Sequence, residues 1–232
     1  MSELFRAELT PLPERMRHLR VFNGYPVPWF VPWKTDGTPE FRVVTHERRD
    51  EALRTRSCWV CGDVLGRYLA FVLGPMCGIT RTTSEPPCHR ECAHWSVVNC
   101  PFLNGREKRR RDDELTKQLD LVGSTPGFMI PRQPNAVLIW VTKSFERFDD
   151  GRGNWLLRVG SPLQLSCWSG GKRCATSVVR ASIESGFPTL YQAAEAEGPD
   201  AVKNLIAMRD RFEAILPRED ANGLGQRLET VQ

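Results

Sequence analysis

Two apolar runs stand out along the chain, Tyr68–Leu73 and Ala136–Val141. Each is the length of a strand, and both fall far short of the ~20 apolar residues a membrane helix needs. Around them the pattern predicts strands first and helices last. Pro13–Arg20 is a short amphipathic piece. Pro26, Pro28 and Pro32 remove ladder donors and forbid a helix, so Val27–Trp33 is predicted as an edge strand or an extended segment. The turn signal Thr35-Asp36-Gly37 then leads to a second strand, Phe41–Thr45, closing a hairpin. Residues 46–56 carry a weak helical pattern.

In the middle of the chain, Arg67–Leu73 predicts a strand, Gly74-Pro75 a turn and Cys77–Thr82 a returning strand. Pro86-Pro87 opens a helix from about Cys88 to Asn99, which Pro101 stops. Glycines and prolines make 115–135 an irregular linker. Ala136–Thr142 predicts a buried strand, and Ser144–Phe148 and Trp155–Val159 a hairpin around Asp149–Gly153. Helical signals then take over. Ser161-Pro162 starts a short helix ended by Gly170-Gly171. Thr176 or Ser177 caps another that stops at Gly186, and Thr189–Gly198 is a third. Pro199-Asp200 opens the longest, to about Leu216, with Val202, Leu205, Ile206, Phe212 and Ile215 on one stripe. The fold class expected is α+β. A mixed region, 1–160, carries a metal module at 57–103, and a helical region, 161–232, packs with it as one compact domain.

Composition narrows the class. With 41% apolar and 26% charged residues, the chain belongs with soluble globular proteins and not with disordered or membrane ones. The net charge of +4 is uneven: residues 57–111 alone carry an excess of about four basic groups, while residues 112–232 are mildly acidic. The first residues, MSELFRAELTPLPERMR, hold no apolar signal region, so a cytoplasmic location is expected. In a reducing compartment, eight cysteines read as metal ligands and buried thiols before disulfides.

Six of those cysteines fall within Cys58–Cys100. A Cys-x2-Cys turn, Cys58 and Cys61, points two sulfurs at one spot, and Gly62 suits the positive φ of such a knuckle. His89 and Cys92, three apart in the first turn of the expected helix, share a helical face and supply the second pair. Cys88 and Cys92 serve equally well by spacing, and His89 is the reading taken. A structural Zn2+ held by Cys58, Cys61, His89 and Cys92 is the expectation. A smaller alternative assigns Cys58, Cys61, Cys92 and Cys100 to an iron–sulfur cluster, with Pro101 after the last thiolate. Cys77 and Cys100 read as thiols packed beside the metal, and Cys167 and Cys174 as buried thiols.

The order knuckle, hairpin, helix with two ligands resembles a treble-clef zinc finger over Ser57–Cys100. Treble clefs include nucleases of the HNH type, whose chemistry needs a histidine at the hairpin. Between Gly62 and Pro87 there is none, which argues for a structural ion. More widely, CWVCG, AFVLGPMC, EPPCHREC and CPFL, with YPVPWFVPW upstream, resemble an uncharacterised bacterial and phage protein family. That resemblance implies no activity.

Arg106, Lys108, Arg109, Arg110 and Arg111 form a basic run just after the module. It reads as a phosphate-contacting stretch for nucleic acid, or as a solvated charge run balanced by Asp112, Asp113 and Glu114. Enzyme signatures fail on inspection. Ser166 and Arg173 break a P-loop around Gly171-Lys172, and Asp50 stands where a zinc-protease motif starting at His46 needs histidine. The Tyr25–Trp33 aromatics read as packing or as a stacking platform. The functional expectation is a zinc-binding protein that contacts nucleic acid. A zinc-stabilised protein-interaction module is the alternative, and an enzyme of unrecognised type stands behind both.

Overall fold

A strand that is apolar on both faces needs cover on both. Val137–Thr142 is such a strand: all six of its residues are buried, and it lies between two partners. The computed structural model describes residues 8–41, 44–105, 135–149, 151 and 155–218, and the backbone of 226–228. The protein is α+β. A 3-10 turn at Glu14–Met16 leads to β1 (Val21–Phe22), β2 (Tyr25–Pro26), α1 (His46–Thr55), β3 (Leu69–Leu73), α2 (Pro75–Thr80), β4 (Thr82–Thr83) and α3 (Arg90–Asn99). Then follow β5 (Val137–Thr142), β6 (Phe145–Asp149), β7 (Trp155–Val159), β8 (Gln164–Ser169) and β9 (Lys172–Arg173). The last elements are α4 (Thr176–Glu197), α5 (Pro199–Ile215) and β10 (Gln226–Leu228).

The main sheet runs β10-β8-β5-β3, with β9 extending from β8, and every pairing is antiparallel. Side chains alternate across it. Leu138 and Trp140 face one way, where Trp140 stacks on Phe212 of α5 and Leu138 meets the α2 backbone at Gly78. Ile139 and Val141 face the other way, toward α3. A second sheet, β4-β7-β6, is clamped by α1: the buried Arg49 donates to Ser84 O and Trp155 O, and Asp50 accepts from Trp155 Nε1.

Several expected elements differ. Cys77–Thr82 is not a returning strand: Pro75–Thr80 is helix α2, with Pro75 in its first turn, and only Thr82–Thr83 is extended. The return alongside β3 is a single bridge, Ala70 to Cys88. Of the two readings of Val27–Trp33, the edge strand does not form. Its prolines lack ladder donors, so pairing retreats to β1–β2, turned by Asn23 and Gly24 at positive φ, and to one bridge, Trp33 to Pro39.

The short helix expected after Pro162 is strand β8. Its hairpin turn is Gly170-Gly171, both at positive φ as a two-residue type I′ turn demands. The two helices expected across 176–198 are the one helix α4, running through Gly186 and Pro188. Gly186 does not end the helix, because it lies where Met76 presses in, its sulfur 3.1 Å from the place of a Cβ. No described helix is long and apolar enough to cross a membrane.

Phe212 is 2% exposed and joins α5 to both α2 and β5. Phe212→Ala is expected to cost about 3–5 kcal/mol in urea unfolding. Ile206→Ala, on the exposed side of the same helix, is expected to stay within about 0.5 kcal/mol.

Candidate metal centre

The knuckle forms because its backbone bonds close on themselves. Gly62 N–H donates to Cys58 O at 2.9 Å and Cys58 N–H to Asp63 O at 2.7 Å. Gly62 sits at φ +84°, and a Cβ there would lie 2.6 Å from the Trp29 ring. Glycine is therefore required twice, by conformation and by space. Trp29 N–H in turn donates to Val60 O at 2.7 Å, so the proline-rich segment is laced onto the knuckle. Across from it, His89 is the N-cap of α3, and Cys92 lies in the first turn.

These elements bring together Cys58, Cys61, His89 and Cys92, whose ligand atoms all lie within 4.8 Å of one another. The three cysteines are 0% exposed and His89 is 9% exposed. Tetrahedral zinc, with sulfur at ~2.3 Å and nitrogen at ~2.0 Å, sets neighbouring S and N ligand atoms about 3.5 Å apart. His89 Nδ1 lies 3.4 Å from Cys61 Sγ and 3.9 Å from Cys92 Sγ, on either side of that value. A Cys3His cluster of this geometry fits a metal site and is consistent with zinc.

The surroundings orient the ligands, as outer contacts of metal sites do. Val64 O is 3.1 Å from His89 Nε2 and accepts its proton, which leaves the Nδ1 lone pair for the cluster. The Arg15 guanidinium, 3.2 Å from Nε2, is then a neighbouring charge paired with Glu91, and not a donor to the ring. Cys58 Sγ accepts backbone N–H groups from Cys61 and His89 at 3.5 and 3.4 Å. His18 Nε2 lies 2.9 Å from Cys61 O. Thr10 O accepts from Trp95 Nε1, and Asn99 bonds Thr10 through both ends of its amide. The N-terminal segment thus straps α3 over the cluster. Apart from the Cys61 N–H to Cys58 Sγ bond within the knuckle, these outer contacts have no sequence signature, since they join residues far apart in the chain.

Protons and a metal compete for the same four atoms. Burial pushes the Cys58 thiol up, but hydrogen bonds from Cys61, Cys92 and His89 outweigh it, and its pKa falls far below the ordinary thiol range. Hydrogen bonds to the Cys58 and Cys61 sulfurs raise His89 to about 10. The same two sulfurs, with burial, push Cys92 up. The protonated cluster therefore concentrates negative charge on Cys58, opposite an imidazolium.

Cys88 points elsewhere. Its thiol donates to Ala70 O at 3.2 Å, and burial holds its pKa well above the usual range. Cys100 is eight residues beyond Cys92 at the far end of α3, about 12 Å along a helix axis. It is not part of the cluster, as the iron–sulfur alternative required. Cys77 lies in α2, raised to about 11 by burial; Cys167 and Cys174 are raised by burial to about 12 and about 11. None of the eight cysteines is in a disulfide. The run Arg106, Lys108, Arg109, Arg110 and Arg111 lies outside the described residues.

His89→Ala and Cys92→Ser are each expected to lose stoichiometric metal, and Cys88→Ser to keep it, as read by elemental analysis of purified protein. Metal loss in Cys88→Ser with retention in His89→Ala would reverse the assignment. A metal must also displace the His89 proton, held up to about 10, and the thiol protons. Affinity is therefore expected to rise with pH from 6 to 8 in a chelator competition titration; a flat profile contradicts this.

Compared with protein families, curated proteins and solved structures, the chain matches none.

Proposed function

We propose that this chain is a structural zinc protein that contacts nucleic acid through Arg106, Lys108, Arg109, Arg110 and Arg111. The observation that carries the reading is the closed Cys3His cluster. Four protein ligands complete a tetrahedron and leave no position for a reactive water, which a catalytic zinc keeps open. The ion acts by holding surfaces in place. A knuckle, β3 with its one-bridge return at Cys88, and α3 carrying two ligands support a treble-clef arrangement. A bacterial or phage setting goes with the same proposal.

For nucleic acid, the support is charge and anchorage. The run begins six residues after Cys100, and those residues are tied to α3. Asn104 N–H donates to Cys100 O, and its side-chain amide donates to Val98 O. The helix that carries His89 and Cys92 therefore also holds Asn104, two residues before the basic run in sequence.

A second reading, docking of a protein partner, is favoured by Ile206 and Met208, which are 43% and 39% exposed on α5. The N-terminal aromatics favour neither reading, because they are used internally. Phe30 stacks on Trp59 at 4.6 Å, Trp29 covers Gly62, and Arg20 lies over Trp33.

The test is duplex binding across a salt series. Wild type is expected to bind at low salt. An Arg109→Ala, Arg110→Ala, Arg111→Ala triple variant should flatten the slope of log affinity against log salt by up to about 2.7, three phosphate contacts. An absence of binding at low salt sinks the nucleic-acid reading and leaves the partner-docking one.

A further inference from the structure

Beside the metal cluster, α3 and the main sheet part to leave a cleft of about 510 Å³. Its floor is apolar, from Ile139 and Val141. Arg90 stands on one wall, on α3 between the two ligands of that helix. Arg67 and Tyr68 enter from the chain leading into β3, and Arg173 enters from β9. Three arginines thus line one space. The acid at its margin, Glu91, is already paired with Arg15.

Arg173 is the informative one. Its guanidinium lies over the Trp168 ring, 4.7 Å from the centroid, which fixes its plane. Its Nη1 is buried and has no hydrogen-bond partner. Burial also pulls its pKa down, because the charge sits away from water. A buried guanidinium N–H without an acceptor is costly, and the usual remedy is a carboxylate neighbour. Among the described residues no ion pair involves Arg173, Arg90 or Arg67. Arg90 donates one nitrogen to Gln164 Oε1 at 2.6 Å and keeps its other donors.

An open, apolar-floored cleft lined by three arginines outside any described ion pair suits an anion with several acceptor oxygens. The volume is that of a small-molecule site, and the half-buried Tyr68 ring and the Ile139–Val141 floor offer flat apolar surface next to the charge. We propose that this cleft binds the phosphate group of a nucleotide, with Arg173 as the anchor and Arg90 and Arg67 flanking it. The proposal does not rest on the reading of Arg106–Arg111 as a phosphate-contacting run. Phosphate within a nucleic-acid strand and phosphate on a free nucleotide present the same group, and the test separates them.

The test is calorimetric titration of the zinc-loaded full chain with adenosine monophosphate, adenosine, inorganic phosphate and a short single-stranded oligonucleotide. The monophosphate is expected to bind, inorganic phosphate to compete, and adenosine to fail. Arg173→Gln should weaken binding about ten- to a hundredfold, the loss of a charge-assisted hydrogen bond. Because that change also removes the stack on Trp168, Arg67→Ala serves as a second variant. Arg67 is exposed, so its loss is expected to leave the fold unaltered, and it too should weaken binding. Binding of the oligonucleotide without the monophosphate, with the same dependence on both arginines, assigns the phosphate to a strand.

Failure of both phosphate-bearing nucleotide probes overturns the proposal, as does unchanged binding in folded Arg173→Gln and Arg67→Ala. Oligonucleotide binding lost only in the Arg109–Arg111 variant overturns the cleft and keeps the run. The opposite pattern keeps the cleft and removes the run.

Discussion

The join between the Cys58–Cys61 knuckle and the first turn of α3 is the constraint on which the rest of this structure depends. Each side is weak by itself. The knuckle is a loop, and α3 is a ten-residue helix, shorter than an isolated helix needs to be stable in water. At their junction three sulfurs and an imidazole are buried with few other partners, an arrangement that is expensive unless one centre satisfies all four. A metal would do so, and the neighbouring elements are aligned to the cluster. His18 and Trp29 bond or cover the knuckle, Val64 O sets the His89 ring, and the Thr10 strap holds α3 in place.

Much of this was readable in the sequence where a local rule was enough. The ligand spacings, the positive φ of Gly62, strand β5 and helices α3 and α5 all follow from periodicity, caps and turn residues. The errors came where a local rule competed with packing or with another local rule. Asn23-Gly24 and Gly170-Gly171 are both two-residue hairpin signals. The first is masked by the prolines that follow it, and the second reads as well as a helix end, since Leu165–Trp168 shows no clean alternation to mark the strand. Gly186 looked like a stop signal because glycine often is one, whereas here it admits Met76. Cys77–Thr82 looked extended after Gly74, yet Pro75 begins a helix as readily as a turn. The outer contacts of the metal cluster, through Arg15, His18 and Val64 O, carry no pattern at all because they are tertiary.

The choice between Cys88 and His89 shows the same limit. Adjacent residues at a helix entry point in different directions, and spacing to Cys92 cannot rank them. Three-dimensional placement separates them: Cys88 bridges back to Ala70 and spends its thiol there, while His89, as N-cap, turns its ring into the cluster.

On this account the metal is a scaffold, and chemistry belongs to the surfaces it positions. Arg90 lies between two ligands in sequence, so the ion also sets one wall of the neighbouring cleft. X-ray absorption at the metal edge of the purified protein tests the central claim most directly. The account predicts one zinc per chain with three sulfurs at ~2.3 Å and one nitrogen at ~2.0 Å. Iron in place of zinc, or a shell containing oxygen from water, would contradict it.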